Sequence, residues 1–164
     1  MSRGTAAYQE VVRARLLDFQ PASGGTTLRA RLGGGPGARL YVDVAPDTPT
    51  YPYAVLRLRD RNEVAGFHAL GERVDVEVDL FHRPRGKGAG ETVTRTAALD
   101  AIADLCDEAM RAFRDVSDGW VWFAGQRRRT KPEPDMDPLD RELVFIRLVY
   151  PLGLWPSNKT KYLS

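Results

Sequence analysis

One stretch constrains the fold of this chain more than any other: Val74-Asp75-Val76-Glu77-Val78-Asp79-Leu80-Phe81. Apolar and acidic residues alternate there with a period of two, so a strand puts Val74, Val76, Val78 and Leu80 on one face and Asp75, Glu77 and Asp79 on the other. The first face needs a core beneath it, and the second reads as a solvated or interface face. A neighbouring run, Tyr53 to Asp60, alternates Ala54, Leu56 and Leu58 with Val55, Arg57 and Arg59. Antiparallel pairing of the two runs sets the acids across from Arg57 and Arg59 as a cross-strand charge ladder. If exposed, each such pair contributes about a few tenths of a kcal/mol.

The rest of the chain supplies what covers this sheet. From about Tyr8 to Phe19, Val11, Val12, Arg15, Leu16 and Phe19 recur at helical offsets, and Pro21 stops the helix. Ala22 to Ala38 is a glycine-rich loop with room for a short element at Leu28 to Leu32. Leu40 to Val44 reads as a strand, and the prolines of Ala45-Pro46-Asp47-Thr48-Pro49 end it. From Glu91 to Phe113, Ala98, Ile102, Leu105, Cys106, Ala109, Met110 and Phe113 form an apolar stripe opposite Arg95, Asp100, Asp104, Asp107, Glu108 and Arg111. This is the long helix over the sheet, with Ile102 and Leu105 in the core. Trp120 to Gly125 and Glu142 to Tyr150 are two further strands, separated by a polar, proline-bearing excursion from Arg127 to Asp140. Pro151 to Ser164 has no period and reads as an extended tail. In order, these elements predict an α+β fold: a single antiparallel β-sheet of four to five strands, with the long helix and the short N-terminal helix packed on one face. With 164 residues and no internal repeat, residues 1–164 are expected to form one domain.

Composition removes several functions. Twenty-four basic residues against 22 acidic ones leave a net charge of +2, too balanced for a dedicated nucleic-acid binder. No apolar run approaches the roughly 18 residues of a membrane span, and the opening Met-Ser-Arg-Gly-Thr lacks a signal-peptide apolar region, so the expected compartment is the cytoplasm and no membrane partner is expected. The lone Cys106 has no disulfide partner and falls on the apolar helix stripe, where it behaves as a small hydrophobe. His68 and His82 flank the acidic strand, and an enzymatic alternative would pair one of them with Asp75 or Asp79, but no nucleophile-elbow pattern accompanies them. Gly86-Lys87-Gly88-Ala89-Gly90-Glu91-Thr92 fails the phosphate-loop spacing and places Glu91 where phosphate would sit. Side chains two apart on a strand do not converge on one cation, so neither metal nor cofactor is expected. The densest charge, Arg127-Arg128-Arg129-Thr130-Lys131, is followed at once by Glu133, Asp135 and Asp137. It reads as an arm that grips a protein neighbour; the competing reading is a small nucleic-acid-binding module using the same run. The candidate subunit or partner interface is therefore Arg57, Arg59, Asp75, Glu77, Asp79, Arg127, Arg128, Arg129 and Lys131, with no catalytic residue.

A strand ending in Ala45-Pro46, the strand entry Tyr51-Pro52-Tyr53-Ala54-Val55-Leu56, the Val74 to Phe81 alternation and the long helix that follows resemble the tail terminator (tail completion) proteins of long-tailed bacteriophages, prophages and gene transfer agents. The resemblance spans roughly residues 8 to 150. It implies a structural virion protein without enzymatic activity, a homo-oligomeric ring, usually a hexamer, that caps the tail tube and joins it to the neck. The implied partners are further copies of the chain, the tail tube protein and a neck or head completion protein, with DNA passing through the ring without sequence-specific binding. The implied location is the head-tail junction of a virion assembled in the host cytoplasm. A head completion or neck connector protein is the alternative within the same class. Arg57, Arg59 and Arg147 on strands, with the acidic strand face, offer the complementary charge a ring subunit needs. The loops at residues 24 to 37, 82 to 90 and 127 to 140 are long for the family, so its ring contacts do not transfer to them residue by residue.

Overall fold

The computed structural model describes residues 5–65, 70–83, 91–111, 113–117, 120–124, 135–136 and 143–156. In chain order its elements are α1 (Thr5–Asp18), α2 (Leu28–Arg31), β1 (Leu40–Val42), β2 (Tyr53–Ala65), β3 (Leu70–His82), α3 (Glu91–Arg111), β4 (Arg114–Ser117), β5 (Trp120–Ala124), β6 (Asp135–Met136) and β7 (Val144–Pro156). The strands form one sheet in the order β1-β2-β3-β7-β5-β4, with β6 paired to β7. The class is α+β, as the order of elements implies.

The alternating run is the middle of β3, and β3 lies between β2 and β7. Ala54 pairs with Leu80 and Leu56 with Val78 on one side, while Leu80 pairs with Ile146 and Val78 with Leu148 on the other. These residues share one face, and all of them belong to the buried core together with Val12 and Leu16 of α1, Leu28 of α2, and Leu99, Ile102, Cys106 and Met110 of α3. Each large apolar side chain so buried contributes roughly 1.5–3 kcal/mol. Hydrogen bonds tie the two layers together. Tyr150 on β7 donates its hydroxyl to Asp107 of α3 at 2.6 Å, and on α1 Arg13 Nε donates to the Leu40 carbonyl at 3.0 Å while Gln9 Nε2 donates to Asp43 Oδ1 at 2.8 Å. Helix α1 thereby covers part of the β1 edge, whose backbone would otherwise remain an open pairing template.

The sheet departs from the sequence reading in three ways. Among the described residues it has seven strands where the periodicity predicts four to five, because β4 and β6 are too short to show a period. It is not purely antiparallel, since β1 joins β2 in parallel, Leu40 to Ala54 through Val42 to Leu56. A parallel return normally needs a long crossover. With only three residues in β1, the turn-rich segment from Asp43 to Pro52 is enough to carry the chain back. Third, the last strand does not end at Tyr150: β7 runs to Pro156, so residues 151–156 are strand and not a free tail. Pro151 hid this, and its position explains how a proline is tolerated. On the side of β7 away from β3, pairing with β5 begins only at Leu152, so Pro151 stands where that side has no partner strand among the described residues.

In α3 the buried ridge is Leu99, Ile102, Ala103, Cys106, Ala109 and Met110. Ile102 is core as predicted. Leu105 is only half-buried, and Leu99 and Ala103 take the places the stripe had assigned to Leu105 and Ala98. The helix is rotated slightly about its axis from the expected orientation. The loop between α2 and β1 uses its glycines as the backbone requires. Gly33, Gly34 and Gly35 all have positive φ, and a Cβ on Gly33 would lie 2.5 Å from the guanidinium of Arg39.

Candidate subunit interface

The face of the sheet turned away from the helices carries the odd-numbered residues of β3, and the register brings the candidate charges together there. Arg57 pairs with Glu77, Arg59 with Asp75, Val55 with Asp79, and from the other side Arg147 with Asp79. The cross-strand ladder expected from the alternation exists. Its energetics differ from the expectation, because the acids are not exposed: Asp75, Glu77 and Asp79 are 3%, 9% and 2% accessible. A carboxylate that deep is tolerated only when hydrogen-bonded cations replace its water.

Asp79 is the best satisfied. Arg147 approaches it as a fork, with Nε 2.8 Å from Oδ1 and Nη2 3.0 Å from Oδ2, and Arg57 Nη1 adds a 2.6 Å bond to Oδ2. Forked guanidinium–carboxylate pairs are among the stronger polar contacts, and here two strands grip the one between them. The Asp79 hydrogen bonds raise the pKa of Arg147 above its ordinary value, so this cation is permanently charged. Arg57 is also anchored through Nε to the Asp43 carbonyl at 3.1 Å. Glu77 sits within ion-pair distance of three guanidiniums, Arg57 and Arg147 at 3.6 Å and Arg59 at 3.9 Å, but its Oε1 accepts no hydrogen bond from them. Asp75 has Arg73 at 3.9 Å. The charges are layered by depth, carboxylates below and guanidinium heads above.

At one end of this face an aromatic row crosses the sheet. Tyr53, Phe81 and Phe145 are register partners on β2, β3 and β7, with ring centroids 4.8 Å and 6.1 Å apart, and Tyr41 and Tyr51 pack against Tyr53 at 6.0 Å and 5.3 Å. Burial raises the Tyr53 pKa, with help from the neighbouring tyrosines. Arg73 and this row are absent from the sequence-derived candidates, and Arg147, named there as complementary charge on a strand, is not assigned to the interface. A single period-two strand shows which residues share its own face, but neighbours from other strands emerge only once the register is known.

The remaining candidates separate. Arg127, Arg128, Arg129 and Lys131 lie outside the described residues, as does His68. His82 lies on β3 with even parity, on the face of Val78 and Leu80, and its register partner is Val144. It cannot share the face of Asp75 and Asp79, which removes the His82–acid pairing weighed from sequence. Burial lowers its pKa. Cys106 is fully buried, and burial together with the nearby Asp107 charge pushes its thiol up to about 12, so it is no nucleophile at neutral pH. Among the described residues no group of three or more His, Cys, Asp or Glu could hold a metal ion, and no helix is long and apolar enough to cross a membrane.

No protein family matches the chain, and no curated protein matches it either. Among solved structures, one chain of the "Virion of native gene transfer agent (GTA) particle" shares its fold with a TM-score of 0.52 at 17% sequence identity, over 94% of this chain and 99% of that one. At that identity the likeness is one of fold.

Proposed function

We propose that the chain is a structural virion protein of a phage or gene transfer agent, and within that class a tail terminator whose copies form a ring, hexameric by the family resemblance, capping the tail tube and joining it to the neck. The observation that carries this reading is the fold shared with a gene transfer agent virion chain over nearly the whole length of both. The narrower reading as a tail terminator rests on the resemblance of the β2 and β3 motifs to that family. Of the two histidines named for the enzymatic alternative, His82 lies on the opposite face from the acids and His68 lies outside the described residues.

The layered face suits an assembly role. Guanidiniums already held by buried carboxylates lose little further side-chain entropy when a partner arrives, and Tyr, Phe and Arg are the residues that dominate interface energetics. DNA would pass through the ring without base contacts. The segment Arg127, Arg128, Arg129 and Lys131 serves in this reading as a second contact, an arm to a neighbouring copy or to the tail tube.

The test is imaging of the purified chain, alone and mixed with tail tubes that lack a cap. Six-fold rings, free or seated on tube ends, are expected. A chain that stays monomeric and ignores tubes, yet binds short duplex DNA with steep salt dependence, would instead support the nucleic-acid module.

A further inference from the structure

We propose that Asp43 is the positioning residue of the open sheet face: held in a left-handed turn by Gln9 of α1, it presents its backbone carbonyl to Arg57 and fixes where that guanidinium meets a neighbouring copy. This role rests on the ring reading above and supplies the geometry of its contact surface.

Asp43 has a φ of 65°, and among the described residues no other non-glycine residue has a positive φ. The N–H of Val44 donates to the Val42 carbonyl at 2.8 Å, which closes a tight turn about Asp43. Aspartate enters this conformation more readily than most side chains, but a strained residue persists only where its surroundings fix it. Asp43 is fixed from three sides. Its N–H donates to the Leu56 carbonyl at 2.9 Å, its carbonyl accepts from Arg57 Nε at 3.1 Å, and its Oδ1 accepts from Gln9 Nε2 at 2.8 Å. Gln9 is 5% accessible, so the last of these bonds is anchored inside the helix layer.

The turn determines what Arg57 meets. Val42 is the register partner of Leu56 and shares its core-side face, so a residue continuing β1 would place its side chain on the open face with Arg57. A carboxylate there would be a fourth acid competing for the guanidiniums that satisfy Asp75, Glu77 and Asp79. The left-handed backbone sends the carboxylate to α1 instead and leaves Arg57 a neutral carbonyl. With Nε on Asp43 and Nη1 on Asp79 at 2.6 Å, the planar guanidinium is held at two points in one orientation. Nη2 belongs to neither contact, and the side chain keeps 24% exposure through which a neighbour reaches it. A line of direct contacts therefore runs from buried Gln9, through Asp43, to a cation on the opposite face of the sheet.

The test follows the Arg57 Nε–H signal of the full chain by NMR and the concentration at which rings form by native mass spectrometry. Asp43→Asn tolerates positive φ and still accepts from Gln9, so both readouts are expected unchanged. Asp43→Val resists positive φ, and Gln9→Met removes the donor at similar size without altering the turn residue. In both, Arg57 Nε–H is expected to exchange with solvent about fivefold faster, the value of one hydrogen bond, and rings to need severalfold more protein. In an Arg57→Gln background, adding Asp43→Val is expected to cost ring formation nothing further, because Asp43 acts through Arg57. Additive losses would assign Asp43 to the stability of β1 alone and overturn the proposal. Unchanged Nε–H exchange in Gln9→Met, which carries the test if Asp43→Val does not fold, would overturn it as well. Faster exchange with ring formation unaltered would remove Arg57 from the contact and leave the ring function standing. An unaltered chain that is monomeric alone and on tail tubes would remove the ring reading itself.

Discussion

Replacing Arg147 with methionine tests whether the open sheet face is a stabilising network or a decorative surface. Methionine keeps most of the apolar stem and deletes the guanidinium, which supplies two of the three short hydrogen bonds to Asp79. Asp79 is 2% accessible, so water does not easily replace the lost donors. Breaking a fully buried ion pair costs about 3–5 kcal/mol, whereas an exposed pair is worth about 0–1 kcal/mol. Arg147 is itself half exposed and Arg57 stays bound to Asp79, which places Arg147→Met between these limits, at about 2 kcal/mol. For a chain of this size that is a fall in Tm of roughly 4–8 °C. Urea unfolding would measure it as a lower midpoint at unchanged m-value. Asp79→Asn removes the charge that the guanidinium neutralises, so the double variant should cost less than the two single costs together, with a coupling of about 1 kcal/mol. The effect should persist in about 1 M sodium chloride, where exposed pairs are screened. A cost of Arg147→Met below about 0.5 kcal/mol, or one that salt erases, would refute the reasoning and return the ladder to a solvated surface.

On α3, Leu99→Ala and Ile102→Ala should each cost about 2–5 kcal/mol and Leu105→Ala about 1–2, because Leu105 is half-buried; equal costs at all three would mean the helix is rotated from the orientation described. The Cys106 thiol should be inert to alkylating reagents in the folded protein, with labelling limited by unfolding. Because its folded pKa is raised to about 12, its contribution to stability is complete below the unfolded thiol value of 9.0 and is lost as pH rises above it, so Cys106→Ala should flatten the alkaline limb of the stability profile. Rapid native labelling at pH 8 would contradict this.

The alternation of Val74 to Phe81 determined by itself that β3 is a strand with one apolar face, and the spacing of Ile102, Cys106, Ala109 and Met110 determined that a helix covers it, because backbone geometry makes side-chain direction a function of sequence position alone. The prolines at 46 and 49 likewise set a limit on a short strand, read as Leu40 to Val44, whereas the structure ends it earlier, at Val42, where Asp43 takes a positive φ. What the acidic face is worth was decided only by the tertiary structure. Whether Asp79 meets water or a guanidinium depends on Arg147, 68 positions away in the chain, and on a register in which a slip of one residue would turn that arginine into the core. The parallel docking of β1 and the passage of β7 through Pro151 were decided in the same way. Each depends on which strand lies beside which, and pairing across the sheet is a property of the whole chain that no local period encodes.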